Sequence, residues 1–469
     1  MKKQPSFDLL VIGGGSAGHA AAITASTLGL KAALVESAAT LGGLCILSGC
    51  MPSKTLIETA GRMRIMREAG RFGIRSAAPV LDPDALRSRL ASLIDGFRRD
   101  RVTEMESGRY ALLRGSARFI SMRAIELTDP DGVVTAVQAK AFVIAAGSHP
   151  FVPPINGLDG APFWTSDDVV RLPSVPNRLA IIGSGAVGME CAHLFEGFGS
   201  QVTVIERGAS IMSGKDPDIA TALESESRQR GIAFLKDTRV HSVSHADGTF
   251  RLALEGAAAF LDADALLLAT GRTPSTAGLG LEETGVAVED GRILIDGGAA
   301  TTVPHIFAAG DCASPVPVVH LAVIQGEVAA RNAARLLRRG LGALAEWNRV
   351  TAMSAWFTEP QSVQVGLSES AAKAEQIPVI VGRQSYADHG KGAIAGSRHG
   401  FVKVLADPPS GRLLGAAAVG PQVVETSHLV QAAIGLRLTA SDYLAIPHYH
   451  PTFTEAWSRA VEEIEAQRR

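Results

Sequence analysis

Cysteine is scarce, with 4 in 469 residues. That excludes a disulfide scaffold, because small secreted frameworks carry cysteine far more densely. Charge shows no surplus of either sign, 45 basic against 47 acidic residues for a net of -2. This excludes a nucleic-acid glove, a polybasic membrane binder and a disordered acidic chain. Aromatic residues are few, at 5%, and no long apolar run is uninterrupted. The nearest approach to a membrane or signal segment is 9–30, which lacks Asp, Glu, Lys and Arg and follows Lys2 and Lys3. Gly13, Gly14, Gly15 and His19 break it where a span needs continuity, and a phosphate-binding turn explains the glycines better. The expectation is a cytoplasmic protein with neither nucleic acid nor membrane as partner. What is abundant is glycine, 49 residues, within a composition 46% hydrophobic and 20% charged. At roughly 150 residues per domain the length implies about three domains of a compact α/β protein.

The glycines are patterned. Phe7 to Ile12 reads as a short apolar strand, followed by Gly13-Gly14-Gly15-Ser16-Ala17-Gly18 and an alanine-rich helix. In that order Gly13 permits a tight turn, Gly15 lets a pyrophosphate approach the backbone and Gly18 packs helix on strand, while the helix N-terminus offers amides to the anion. A second strand ends at Glu36, an acid placed to accept hydrogen bonds from a ribose. The same device returns at Gly183, Gly185 and Gly188, with Glu206 ending the next strand. Two copies at equal spacing imply two dinucleotides. A carboxylate at Glu206 suits the free ribose hydroxyls of NAD and repels the extra phosphate of NADP.

Between the two copies lies Gly42-Gly43-Leu44-Cys45-Ile46-Leu47-Ser48-Gly49-Cys50-Met51-Pro52-Ser53-Lys54. A cysteine pair with four residues between can be two inert buried thiols, half a metal site or a redox-active disulfide. Cys191 lies in the second glycine motif's helix and Cys312 stands alone, so no second pair completes a zinc site. Pro52 suits the first turn of a helix through 53–69, whose N-terminal dipole would stabilise a thiolate. Near the C-terminus, His448-Tyr449-His450-Pro451-Thr452-Phe453-Thr454-Glu455 precedes an amphipathic helix. Thr452 and Glu455 have the spacing of a capping box. The alternating charges from Arg62 to Arg109 read as a solvated helical hairpin.

With Ala141 to Gly147, Leu266 to Pro274, Ile306 to Cys312 and His448 to Glu455 added in that order, the chain resembles the pyridine nucleotide-disulfide oxidoreductases. The resemblance implies two Rossmann-like dinucleotide-binding domains, an NAD domain inserted in an FAD domain, and an α+β C-terminal dimerisation domain. Their expected extents are 1–150 for the first FAD segment, 151–275 for the NAD domain, 276–348 for the return to the flavin and 349–469 for dimerisation. It also implies a redox disulfide between Cys45 and Cys50, with Cys45 exchanging with substrate and Cys50 facing the flavin. Lys54 would approach the flavin ring and pair with Glu190, Asp311 would bind the ribityl chain, and Gly43, Gly147 and Gly271 would border the cofactors. Ala117 and Val240 match the adenine-side contacts of FAD and NAD. His450 would be the general acid-base, oriented by Glu455, and would act on the other subunit of a homodimer; His448 would support local structure.

The chain departs from the family in having Leu44 and Leu47 where threonine and asparagine are usual, and in the bulk of Tyr449 and Phe453. With no cysteine pair near the C-terminus and no metal-binding domain ahead of Phe7, mercuric and large thioredoxin reductase activities are disfavoured; Glu206 argues against an NADPH-dependent glutathione reductase. Oxidation of dihydrolipoamide, free or on a lipoyl-carrying protein of a multienzyme complex, is what remains. The competing expectation is NADH-dependent reduction of another disulfide.

Overall fold

The computed structural model describes residues 5–255, 260–338, 344–348 and 351–469; Lys2, Lys3 and the expected boundary at 349 lie outside the described residues. The chain forms two compact units. The first comprises 1–53, 87–151 and 272–348, and the second 54–86, 152–271 and 349–469.

In the first unit the apolar run Ser6–Ile12 is a strand, and the segment that resembled a membrane stretch continues as the 12-residue helix Ser16–Thr27. No helix among the described residues is long and apolar enough to cross a membrane. Leu9, Leu10 and Val11 are fully buried, as a strand covered on both faces of a parallel sheet requires. This strand pairs in parallel with Ala32–Glu36 on one side and Val134–Ile144 on the other. The latter does two jobs along its 11 residues. Its first half pairs antiparallel with Ala124–Thr128, and its last residues pair in parallel with both Ser6–Ile12 and Ile306–Ala308. The result is a seven-stranded sheet, parallel where the glycine turn sits and antiparallel beyond it. Leu10, Phe119, Phe142, Ile144 and Ile306 form its core at 0% exposure, each contributing roughly 1.5–3 kcal/mol by burial.

The second unit holds a four-stranded parallel sheet in which Arg178–Ile182 lies between Gln201–Ile205 and Ala265–Leu268. It also holds a five-stranded antiparallel sheet from Met353–Trp356 to Ile380–Ser385, on which the helix Glu455–Arg468 packs. Trp457 is fully buried there, and Gly382 is glycine because a Cβ would strike the carbonyl of Ala460. Lys403, also fully buried, reaches Asp216, Asp218 and Glu369, each at 2.8 Å. A buried cation so paired is stable only as a set, and loss of one partner of such a pair typically costs about 3–5 kcal/mol.

Where the charges alternate, the helices Cys50–Arg67 and Pro83–Met105 lie on either side of a 3-10 turn, Ala69–Phe72, and an irregular segment. The first begins three residues earlier than Pro52 and Ser53 suggest, at Cys50, with Pro52 inside the first turn, where its missing N–H is harmless.

Candidate active site

The first glycine turn has the geometry that an extended diphosphate needs. Gly13 has φ +102°, and a Cβ there would run into the Ala145 carbonyl; at Gly18 it would meet the Gly13 carbonyl. Gly15 caps the helix, with no side-chain cap and no acid in the first turn, and a Cβ on it would enter open space. The helix amides are thus left for an anion. Glu36 accepts from the Gly14 amide and the Ala38 amide, both at 2.8 Å, so its carboxylate is fixed beside the turn. Gly43 has φ +75°, and its α-carbon is so close to Gly15 that a Cβ would lie 2.8 Å from the Gly15 Cα. The cysteine loop therefore packs directly on the phosphate turn.

Other first-unit positions surround the same sheet. Asp311 sits within the short 3-10 turn Gly310–Cys312 and is not its N-cap; its Oδ2 accepts from Ser148 Oγ at 2.7 Å. Ser148 is in turn gripped by Arg272, whose Nε donates to Oγ at 2.8 Å. Neither Ser148 nor Arg272 stands out in the sequence, although Arg272 follows directly after Gly271 in the motif LLLATGRTP. Gly147 adopts φ +73°; Gly271, which closes the second unit's segment 152–271, has φ +113°. Ala117 lies half-buried on the strand Ser116–Ser121.

Cys45 falls in the short helix Gly43–Leu47 and Cys50 opens the long helix. Gly49 makes the approach possible, since a Cβ there would sit 2.9 Å from the Leu44 carbonyl oxygen and 3.2 Å from the Cys45 Cα. The two side chains meet: a hydrogen bond with Cys50, then burial, push the Cys45 thiol far up, and Arg101 opposes them. Cys50, at the helix N-terminus, has the place that favours a thiolate. The remaining cysteines are chemically set apart. Burial pushes Cys191 up to about 12 and Cys312 up to about 11.

In the second unit Gly183, Gly185 and Gly188 repeat the turn, with φ +102° at Gly183 and open space at Gly185. Glu206 accepts from Ser184 Oγ at 2.5 Å and from the amides of Ser184 and Gly208 at 3.1 and 2.9 Å. Val240 is half-buried at the start of the strand Val240–Ala246. The structure brings Lys54 and Glu190 together at 2.7 Å, although they are 136 residues apart. Glu190 also accepts the Phe357 amide at 3.0 Å, and the Lys54 ammonium lies 4.8 Å from the Phe357 ring centroid. Phe357, which sequence reasoning missed, carries no motif.

At the C-terminus His450 Nδ1 and Glu455 Oε1 are 2.8 Å apart, while Glu455 Oε2 accepts the Thr452 amide at 2.8 Å. The capping box is half formed: Thr452 Oγ1 donates to the Tyr449 carbonyl, and the helix starts at Glu455 itself. Burial pushes the Glu455 carboxyl up, but the Thr452 amide and His450 together hold it below its ordinary value. Because a carboxylate only accepts, His450 Nδ1 donates and Nε2 is left to take a proton. The His450 side chain is 78% exposed. His448 stacks on Tyr443, ring centroids 5.0 Å apart.

The sequence matches the pyridine nucleotide-disulphide oxidoreductase family over residues 7–326 and the family's dimerisation domain over 352–461. The chain belongs to this family. As a pyridine nucleotide-disulphide oxidoreductase it uses FAD and NAD, and the open turns at Gly15 and Gly185 fit two dinucleotides. It is 37% identical over 440 residues to a mercuric reductase of Acidithiobacillus ferrooxidans, covering 92% of this chain and 78% of that protein. It is 33% identical over 469 residues to a dihydrolipoyl dehydrogenase of Thermus scotoductus, covering 98% of each. Among solved structures, the Cu(II) complex of the HOCl-induced flavoprotein disulfide reductase RclA from Escherichia coli matches with TM-score 0.85 and 26% identity, covering 99% of this chain and 100% of that one. Overall identity thus spans enzymes of different substrates.

Proposed function

We propose that the protein is a dihydrolipoyl dehydrogenase, oxidising a dihydrolipoyl dithiol with NAD through a Cys45–Cys50 disulfide. The observation that carries this reading is the pairing of two devices: thiols in contact across Gly49, and a histidine whose Nδ1 is tied to Glu455 so that Nε2 can move a proton. A substrate thiolate attacks Cys45, forming a mixed disulfide and releasing Cys50 as a thiolate held by its helix N-terminus. The second substrate sulfur then displaces Cys45, closing the substrate disulfide and leaving both enzyme sulfurs reduced. His450 takes the proton that each substrate thiol gives up. FAD, when bound along the first glycine turn, supplies the path by which this electron pair reaches NAD. Gly13, Gly15, Gly18, Glu36, Gly43, Ala117, Gly147 and Asp311 are assigned to FAD, and Gly183, Gly185, Gly188, Glu206, Val240 and Gly271 to NAD. Lys54, fixed by Glu190, is assigned to the flavin ring. The dimerisation-domain match supports a homodimer, in which His450 serves the cysteines of the other copy.

Running the same chemistry backwards, NADH would reduce another disulfide, a reading favoured by the likeness to the flavoprotein disulfide reductase RclA. Anaerobic titration separates the two. Rapid flavin reduction by dihydrolipoamide, with NADH formed on adding NAD, is the expected result; reduction by NADH alone would remove the lipoyl assignment. In the same assay Cys50→Ser should abolish the thiolate-to-flavin absorption and turnover, while Cys45→Ser should keep the absorption and lose turnover. Equal spectra in both variants would overturn the division of roles.

A further inference from the structure

Ser148–Pro150 and Arg272–Pro274 form a two-stranded antiparallel ribbon within the first unit. Arg272 stands opposite Pro150, and Ser148, two residues along from Pro150, projects to the same face. The Arg272 side chain reaches Ser148 with two prongs: Nε donates to Oγ and Nη2 to the backbone carbonyl, both at 2.8 Å. A guanidinium only donates, so Ser148 Oγ accepts from it and has a single proton to give, which goes to Asp311 Oδ2 at 2.7 Å. The hydroxyl thus joins a cation to a carboxylate, and each of its two hydrogen bonds strengthens the other. Asp311 is half-buried on a turn of three residues, Gly310–Cys312. Among the described residues no other hydrogen bond reaches its carboxylate, which leaves Oδ1 to a ligand hydroxyl.

We propose that Arg272 is a positioning residue for FAD: through the Ser148 hydroxyl it holds the Asp311 carboxylate in the orientation that accepts a hydroxyl of the ribityl chain. The proposal rests on the assignment of Asp311 to FAD. A guanidinium suits this role because its rigid fork takes the Ser148 hydroxyl and carbonyl at once, whereas an ammonium is a point charge on a flexible stem. Without Arg272 the Ser148 hydroxyl is free to rotate, and the Asp311 carboxylate loses its fixed partner.

ADP separates positioning from general support of the fold, since it has the adenosine and diphosphate of FAD but no ribityl chain. The full-length chain is stripped of FAD, and its affinities for FAD and for ADP are measured by calorimetry. Arg272→Met should weaken FAD by roughly ten- to a hundredfold and leave ADP unchanged. Ser148→Ala should weaken FAD similarly, and the double variant should lose no more than the larger single change, because both substitutions break one chain of hydrogen bonds. Arg272→Lys should fall between the native protein and Arg272→Met. FAD affinity left unchanged by Arg272→Met overturns the proposal. Should Arg272→Met lose both ligands, Ser148→Ala and Arg272→Lys decide: loss of FAD affinity alone supports the proposal, and equal loss for both ligands overturns it. Asp311→Asn tells the failures apart. If it weakens FAD where Arg272→Met does not, the positioning role falls and the assignment of Asp311 stands; if neither variant weakens FAD, both fall.

Discussion

Gly13 and Gly183 share φ +102°, and the helix-capping Gly15 and Gly185 have φ of -68° and -69° with ψ of -170° and -172°. At each turn the third glycine abuts the carbonyl of the first, and the acid eighteen residues further on accepts an amide of the turn itself. The side chains then diverge. The second turn has Ser184, bonded to Glu206, where the first has Gly14, whose added Cβ would crowd Glu36 and Met105. The first helix directs His19 to Glu104 and Tyr110; the second directs Glu190 to Lys54 and His193 to Ser227. The glycine pattern dictates a backbone that accepts a diphosphate, and the helix residues decide what chemistry that backbone is coupled to.

Breaking the shared part should have the largest effect, and a different one at each copy. Gly18→Ala should yield protein without flavin, because the new methyl meets the Gly13 carbonyl, an overpacking of about 3 kcal/mol or more. Gly188→Ala should retain flavin and its reduction by a dithiol but lose reduction by NADH. Flavin absorbance and stopped-flow reduction read both; retention of NADH reduction by Gly188→Ala would mean that the second turn does not bind the nicotinamide cofactor.

The buried histidines sharpen the comparison through pH. Burial, helped by Arg230 and Arg64, pushes His193 down to about 3, while in His19 the downward push of burial and Arg101 is opposed by Glu104. An unfolded chain takes up a proton at His193 as pH falls below about 6.5, whereas the folded chain does not until about 3. Stability from this group is therefore complete above that upper value and declines as pH drops across the window, by roughly 2 kcal/mol at pH 5. Denaturant titrations at pH 7 and pH 5 should show that loss in the native protein and less of it in His193→Gln. The smallest effect belongs to Ser184→Gly, which makes the second turn resemble the first. Removing one hydrogen bond to a half-exposed carboxylate should cost about 1 kcal/mol and raise the KM for NADH by less than about tenfold, leaving flavin content unchanged.

Both turns, both acids and the cysteine loop could be read from the sequence because each is local: glycine spacing, a strand ahead and a helix behind suffice. The C-terminal motif was legible as a capping box or as an acid-base pair, and Glu455 serves both His450 and the Thr452 amide. What could not be read is what arrives from far along the chain. Phe357 reaches Glu190 across 167 residues, Arg272 reaches Ser148 across 124, and Lys403 collects carboxylates from Asp216, Asp218 and Glu369. None of these pairings leaves a periodicity or spacing, because tertiary packing alone creates them. The departure of the cysteine helix from its expected start is of a different kind: Pro52 marks a first turn, not a first residue.

The two buried cysteines also make the sulfur content of this chain easy to count. With Cys312 fully enclosed, Cys191 nearly so, and both thiols kept protonated at neutral pH, a thiol-counting reagent applied to the native protein would register the Cys45–Cys50 pair alone. If these two form the proposed redox disulfide, two titratable sulfurs would report the reduced pair and none the oxidised one, so the folded chain is its own gauge of whether that pair holds electrons.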